Sequence, residues 1–161
     1  MSFLFQIGNY FDLKRIDWMI KCFLMSSLLI NLVFLAKYDF VELRLPDLLL
    51  GSLMIFSCML KGLGDVFLSI YDIFTLFGIS FGLKVGYRFV TKKDGLGWGD
   101  VKFLSLCGLW VPMQSIPLFL ICVGCSGFIF GLLWRKMGRG DRFPLGVVIV
   151  INLSGWIGNQ L

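Results

Sequence analysis

Residues 116–134 read IPLFLICVGCSGFIFGLLW, nineteen positions without a charge. A helix needs about 20 mostly apolar residues to cross the hydrocarbon core of a bilayer, and this stretch supplies them. Working outward, five more apolar segments can be drawn, at 17–36, 47–60, 66–85, 101–111 and 144–158. The 47–60 segment is short for a span, and 101–111 is the weakest of the six. The pattern predicts an all-α, polytopic membrane helix bundle with about six transmembrane segments, forming a single integral-membrane unit over residues 1–161.

Composition supports this reading. Hydrophobic residues make up 58% of the chain and the mean hydropathy is +0.86, whereas soluble domains hold roughly 45–50% apolar residues. The net charge of +5 belongs to the segments' flanks. The loops joining segments one to two, three to four and five to six, with their flanks, carry 11 of the 15 basic residues. These are Lys37, Arg44, Lys84, Arg88, Lys92, Lys93, Lys102, Arg135, Lys136, Arg139 and Arg142. Lys14, Arg15, Lys21 and Lys61 fall on the other side. Positive charge marks the cytoplasmic side, so the first set is expected there and both termini outside. No basic and aromatic patch is interleaved in a soluble domain, so nucleic acid is not an expected partner; membrane lipid is.

Histidine is absent, which excludes Ser-His-Asp and Cys-His catalysis and any metal site that needs imidazole. The five cysteines, Cys22, Cys58, Cys107, Cys122 and Cys125, are odd in number and irregularly spaced, against a disulfide framework. Cys122 and Cys125 form a C-x-x-C inside an apolar run and are expected as small packing residues, as are Gly78, Gly82, Gly86, Gly124, Gly127 and Gly131. No metal or other cofactor is expected. Met1–Lys14 lacks the order of a cleavable signal peptide, so the first apolar run is expected to act as an uncleaved anchor.

The acids carry the functional information, because a carboxylate at membrane depth is costly and faces the bundle interior. Asp12 and Asp17 lie among flank charges. Glu42 and Asp47 lie beside Arg44, Asp94 follows Lys92 and Lys93, and Asp141 lies between Arg139 and Arg142. Asp72 is within the third segment and is expected to hydrogen-bond between helices. Asp39 and Asp100 stand apart: one follows the first segment, the other opens the fourth, and the charge argument puts both at one face. Two adjacent carboxylates do not readily both ionise, so one keeps its proton and the pair titrates together. The charged member then activates water while the protonated one polarises a carbonyl. This is hydrolysis without His, Ser, Cys or metal.

The stretch Gly95-Leu96-Gly97-Trp98-Gly99-Asp100-Val101-Lys102 resembles the second catalytic motif, G-x-G-D-x-K, of the type IV prepilin peptidases. Asp39, followed seven residues later by Pro46 and Asp47, resembles their first motif. Phe143-Pro144-Leu145-Gly146 is a weaker match to their Pro-Phe-Gly signature. The resemblance implies an intramembrane aspartic endopeptidase that cuts the basic leader from prepilins or pseudopilins at the cytoplasmic face of a bacterial inner membrane. Asp39 and Asp100 would be catalytic, with Gly97, Gly99, Lys102, Pro46 and Asp47 in support. Lys102 would neutralise charge at the pair or meet a lipid phosphate. Glu42 and Asp47 would suit the leader's positive charge.

Gly62-Leu63-Gly64-Asp65 repeats the G-x-G-D pattern, but Phe67 stands where Lys would follow and the charge argument puts Asp65 on the outer face. Trp98 occupies a position where the family commonly has a small residue, and is expected to narrow substrate access. The longer, bifunctional members carry paired C-x-x-C motifs before the first core span and also methylate the new N-terminus. Here the chain begins almost at that span, so the short, peptidase-only branch of the tight-adherence (Flp-type) pili is expected, without methyltransferase activity. The alternatives are a non-catalytic assembly partner in a pilus or secretion system, which would not need both acids, and a transporter, whose acids would sit near the bilayer midplane.

Overall fold

The computed structural model describes residues 2–43, 45–92, 95–138 and 143–158. Arg44, Lys93, Asp94, Arg139, Asp141 and Arg142, read above as loop charges, lie outside the described residues. Six α-helices follow in order: α1 (Ser2–Glu42), α2 (Asp47–Lys61), α3 (Leu63–Thr91), α4 (Trp98–Cys107), α5 (Ile116–Lys136) and α6 (Leu145–Gly158), with a 3-10 turn at Met113–Ser115 before α5. This is an all-α membrane helix bundle. Three stretches are long and apolar enough to cross a membrane: Asp17–Glu42, Gly64–Thr91 and Met113–Lys136. At 1.5 Å per residue, α2 and α6 are each only about 21–23 Å long and α4 only about 15 Å, against a hydrocarbon core of about 30 Å.

The core is a thin seam along the centre. Leu28, Leu32 and Leu35 of α1 are buried, and so is Asp39. These positions run i, i+4, i+7, i+11, so Asp39 is the last residue of the helix face that meets the core. α4 is enclosed by neighbours, with Val101, Phe103, Leu104, Ser105 and Cys107 all buried, and it packs against α2, α3 and α6. At its far end the backbone meets α3 directly: a Cβ on Gly108 would come within 2.6 Å of the Ile73 backbone nitrogen.

The outer surface is apolar. Phe67, Leu68, Tyr71 and Phe74 of α3 and Phe128, Ile129, Leu132 and Leu133 of α5 are all exposed. Lipid, not water, is the solvent that tolerates such faces. Polar side chains join helices inside: Trp110 Nε1 donates to Ser57 Oγ at 3.0 Å, Asn152 Nδ2 to Ser126 Oγ at 2.8 Å, and Asn31 Nδ2 to Ser52 Oγ. Each such bond between membrane helices contributes about 0.6 kcal/mol on average.

Three expectations about packing need correction. Gly78, Gly82, Gly86 and Gly124 have nothing within 4 Å of an added Cβ, so they do not draw helices together within this chain. Only Gly127 and Gly131 meet neighbours, Leu145 and Phe143 respectively. Of the C-x-x-C pair, both Cys122 and Cys125 are exposed; the cysteine that fills the core is Cys107. Asp72 makes no hydrogen bond through its side chain among the described residues; its contribution is the backbone seat against Gly108.

Candidate active site

Alternation of the helices brings the C-terminal ends of α1, α3 and α5 together with the N-terminal ends of α2, α4 and α6. Contacts across this end join α1, α5 and α6 (Asp39 to Val147, Phe40 to Trp134) and α2, α3 and the start of α4 (Asp47 to Lys102, Lys84 to Leu96), with Leu45 packed against the starts of both α4 and α6. Lys37, Lys84, Arg88, Lys92, Lys102, Arg135 and Lys136 belong to this end, while Lys61 caps the other end of α2. The basic end is therefore also the end that holds Asp39 and Asp100.

Asp39 is only 4% exposed. Its Oδ2 accepts the Val147 N–H at 3.2 Å, in the first turn of α6. A helix N-terminus offers unpaired N–H groups and the positive end of its dipole, which replace the water a buried carboxylate has lost. Gly146 makes the approach possible: a Cβ there would lie 2.8 Å from Asp39 Oδ2 and 3.0 Å from its Cγ. The glycine of the Phe143–Gly146 motif thus has a steric reason. Directly after Asp39's turn the chain leaves the helix. Leu43 adopts φ 52°, and its N–H bonds the Asp39 carbonyl at 3.0 Å. Pro46 then caps α2 in extended conformation, its φ near −71° suiting the proline ring.

Asp100 sits in the first turn of α4, three residues after the cap Gly97, and its Oδ2 accepts the Gly97 N–H at 3.2 Å. A Cβ on Gly97 would come 3.0 Å from that oxygen. Leu45 lies between the starts of α4 and α6. Added Cβ atoms would meet it at 2.8 Å from Gly99 and at 3.2 Å from Gly146, so one side chain spans from beside Asp100 to beside Asp39. Burial, reinforced by the nearby Asp39 charge, pushes the Asp100 carboxyl up to about 6; the Gly97 N–H and the Lys84 charge oppose the rise. Burial disfavours the anion and a like charge disfavours it further.

The remaining candidates split into two sets. Gly97 and Gly99 line the Asp100 turn. Lys102 and Asp47 pair with each other at 2.7 Å, with side chains 52% and 76% exposed. They border an open groove of about 360 Å³ between α2, α3 and α4, lined otherwise by Leu50, Gly51, Met54, Phe77, Ser105 and Leu106. Asp65 lies in the first turn of α3, exposed, and roughly 28 Å along that helix from Lys84 at 1.5 Å per residue. Among the described residues no group of three or more His, Cys, Asp or Glu is placed to hold a metal.

Lys84 is the group that sequence reasoning misplaced. Counted above as an orienting loop charge, it is 7% exposed inside the site, donating to the Leu96 carbonyl at 2.7 Å. The signal was present, since a lone lysine in the apolar run FGLKVGY is a buried-cation candidate by the same rule that singled out the acids. Trp98 is likewise placed differently: its ring rests on Phe81 and under Lys84 against α3.

The type IV leader peptidase family model matches residues 21–132. Among curated proteins, the prepilin leader peptidase/N-methyltransferase of Pectobacterium carotovorum subsp. carotovorum is 32% identical over 120 residues, covering 71% of this chain and 42% of that protein. The Pseudomonas aeruginosa protein of that name is 31% identical over 136 residues, covering 79% and 45%. The Escherichia coli K12 protein of that name is 27% identical over 134 residues, covering 76% and 60%. The chain thus spans about half the length of the curated relatives it matches. No solved structure matches it. The family match takes in the turns that carry Asp39 and Asp100, and on that match this chain belongs to the type IV leader peptidase family.

Proposed function

We propose that this protein is an intramembrane aspartic endopeptidase that removes the basic leader from prepilins or pseudopilins, with Asp39 and Asp100 as its catalytic pair. The observation that carries the proposal is the placement, at one end of the bundle, of the buried Asp39 and the half-buried Asp100 from separate motifs, with one side chain, Leu45, packed against the glycines beside both. The positive-inside asymmetry supports the cytoplasmic face of the inner membrane for that end. The relatives, prepilin leader peptidases by name, support the substrate class.

The two environments support a division of roles. Asp39, set on the α6 N-terminus, is the charged member, and Asp100, whose carboxyl is pushed up by burial, holds the shared proton. A water between them gives a proton to Asp39 as its oxygen attacks the scissile carbonyl, while Asp100 gives its proton to the carbonyl oxygen. When the tetrahedral intermediate collapses, the C–N bond breaks, Asp39 protonates the departing amine and Asp100 recovers its proton. One water is consumed and both carboxyl groups return to their starting states.

The test is co-expression with a candidate prepilin, following loss of the leader by gel shift at matched membrane levels. D39N and D100N should each reduce processing below detection, whereas D65N should process like wild type. Processing by D39N or D100N at the wild-type rate would overturn the mechanism. A wild-type chain that processes no candidate would instead favour a non-catalytic assembly role.

A further inference from the structure

The carboxyl pair is not the only charge inside this end of the bundle. Lys84 of α3 is buried, its Nζ bonded to the Leu96 carbonyl at 2.7 Å and standing 4.5 Å from the centre of the Trp98 ring. Phe81, one turn before it, meets the same Trp98 ring at 5.9 Å. Tyr87, one turn after it, fills the space beside Gly95, where a Cβ would lie 2.4 Å from the ring. Three residues of one α3 face, at i, i+3 and i+6, thus grip successive parts of the loop that ends at Asp100. Phe81 and Tyr87 alone would give an apolar clamp. A buried ammonium is costly unless its partners compensate it, and its presence calls for a role that apolar residues do not fill.

Resting on the peptidase reading above, we propose that Lys84 is a positioning residue of the reaction. Through the Leu96 carbonyl it fixes the 95–97 loop so that Asp100 is held toward Asp39. Its positive charge also stabilises the carboxylate that Asp100 becomes once its proton has moved to the substrate oxygen. The groups around Asp100 leave this work to Lys84. α1 contributes Asp39, of the wrong sign, while its Lys37 and Glu42 are exposed. α2 contributes Asp47 at this end, already paired with Lys102 on the exposed side, and Cys58 and Lys61 toward its other end. On α3, Arg88 and Lys92 lie in the exposed last turns, and Asp72 lies at the far end of α4. α4 itself adds Lys102 and, a helix length away, Cys107. α6 has no titratable side chain.

The sign of the effect follows. Removing the cation leaves the Asp100 anion less favoured, so Asp100 keeps its proton to higher pH. The pH profile of processing by the full chain in membranes should therefore be measured for wild type, K84M, K84Q and K84R against one prepilin at equal protein levels, with D39N and D100N in parallel. The expected result is that K84M and K84Q slow processing by about tenfold or more and move the alkaline limb upward, while K84R, which keeps the charge, leaves the limb in place. Wild-type rates in K84M or K84Q overturn the proposal. So does equal slowing of all three variants with the limb unmoved, the signature of a packing role alone. K84R decides if the neutral variants fail to accumulate, since a shifted limb there contradicts a charge role. Wild-type processing by D39N and D100N would sink the peptidase reading itself, and is distinguished by those two variants alone.

Discussion

The chain writes Gly-x-Gly-Asp twice, and the two copies meet opposite fates. Gly62–Asp65 and Gly97–Asp100 each open a helix with the acid in its first turn. At the first copy, added Cβ atoms on Gly62 and Gly64 meet nothing within 4 Å, and Asp65 is exposed. At the second, Gly97 abuts the Asp100 carboxylate, Gly99 abuts Leu45, and Asp100 lies within reach of Asp39 and Lys84. Both copies open a helix, but Gly62 caps α3 at φ 80° with no bond to Asp65 among the described residues, whereas Gly97 caps α4 at φ −67° with its N–H bonded to Asp100. What α1, α3 and α6 bring against them differs as well, so a site of this kind is a property of the packing around the motif.

Glycine substitutions break this comparison most strongly. G146A should lower processing by about a hundredfold, since its methyl group would displace Asp39, and a shift of about 1 Å at a reacting group costs on that order. G99A should behave similarly through Leu45. G64A, in open space on a helix, should process normally and be more stable by about 0.5–1 kcal/mol. The gel-shift assay and melting in detergent read both quantities. Equal activity of G146A and G64A would show that the close approach at Asp39 does not matter.

A second difference is visible in stability against pH. The folded Asp100 titrates near 6, above its ordinary 3.8. Because the folded state holds that proton more tightly than the unfolded chain, stability is greatest below about 4. It should fall by up to about 3 kcal/mol as the pH rises to about 6, then level off. D100N, which carries no charge to bury, should flatten this decline in detergent melts recorded from pH 4 to 8. An unchanged slope in D100N would remove burial of Asp100 as its source.

Much of this was legible in the sequence, and the unreadable part has a physical cause. Apolar runs mark membrane helices because lipid accepts nothing else, and the observed helices lie within a few residues of the expected segments except that α1 starts at Ser2 and that α1 and α3 continue to Glu42 and Thr91, which puts Asp39 inside α1 instead of after it. Asp39 and Asp100 stood out because acids beside apolar runs are costly. Leu45 and Val147 gave no comparable signal: a leucine that spans two helix starts looks like any leucine, and its role depends on contacts far away in sequence. Lys84 was misread for another reason. Its place in an apolar run marked it as a buried-cation candidate, but near a span's end that signal was read as an orienting charge. The outward face of Gly78, Gly82 and Gly86 was misread because small residues at helical spacing mark a capacity for close packing, without saying whether a partner within the chain uses it.

The two lysines flanking Asp100 in space sharpen the lesson at its smallest scale. Lys102, two residues after the acid, fits the motif, yet its ammonium meets Asp47 across an interface where both side chains are largely exposed. Such pairs contribute about 0–1 kcal/mol, because water screens them and two long side chains must be held in place. A double-mutant cycle of K102A and D47A, read by detergent melting, should therefore give a coupling below about 1 kcal/mol that shrinks as salt is raised. Lys84, distant in sequence but buried against the Asp100 loop, has no such screening, and its replacement should cost far more. A large, salt-insensitive coupling at Lys102–Asp47 would reverse that ranking. The motif lysine, and not the buried one, would then be the cation on which this end of the bundle depends.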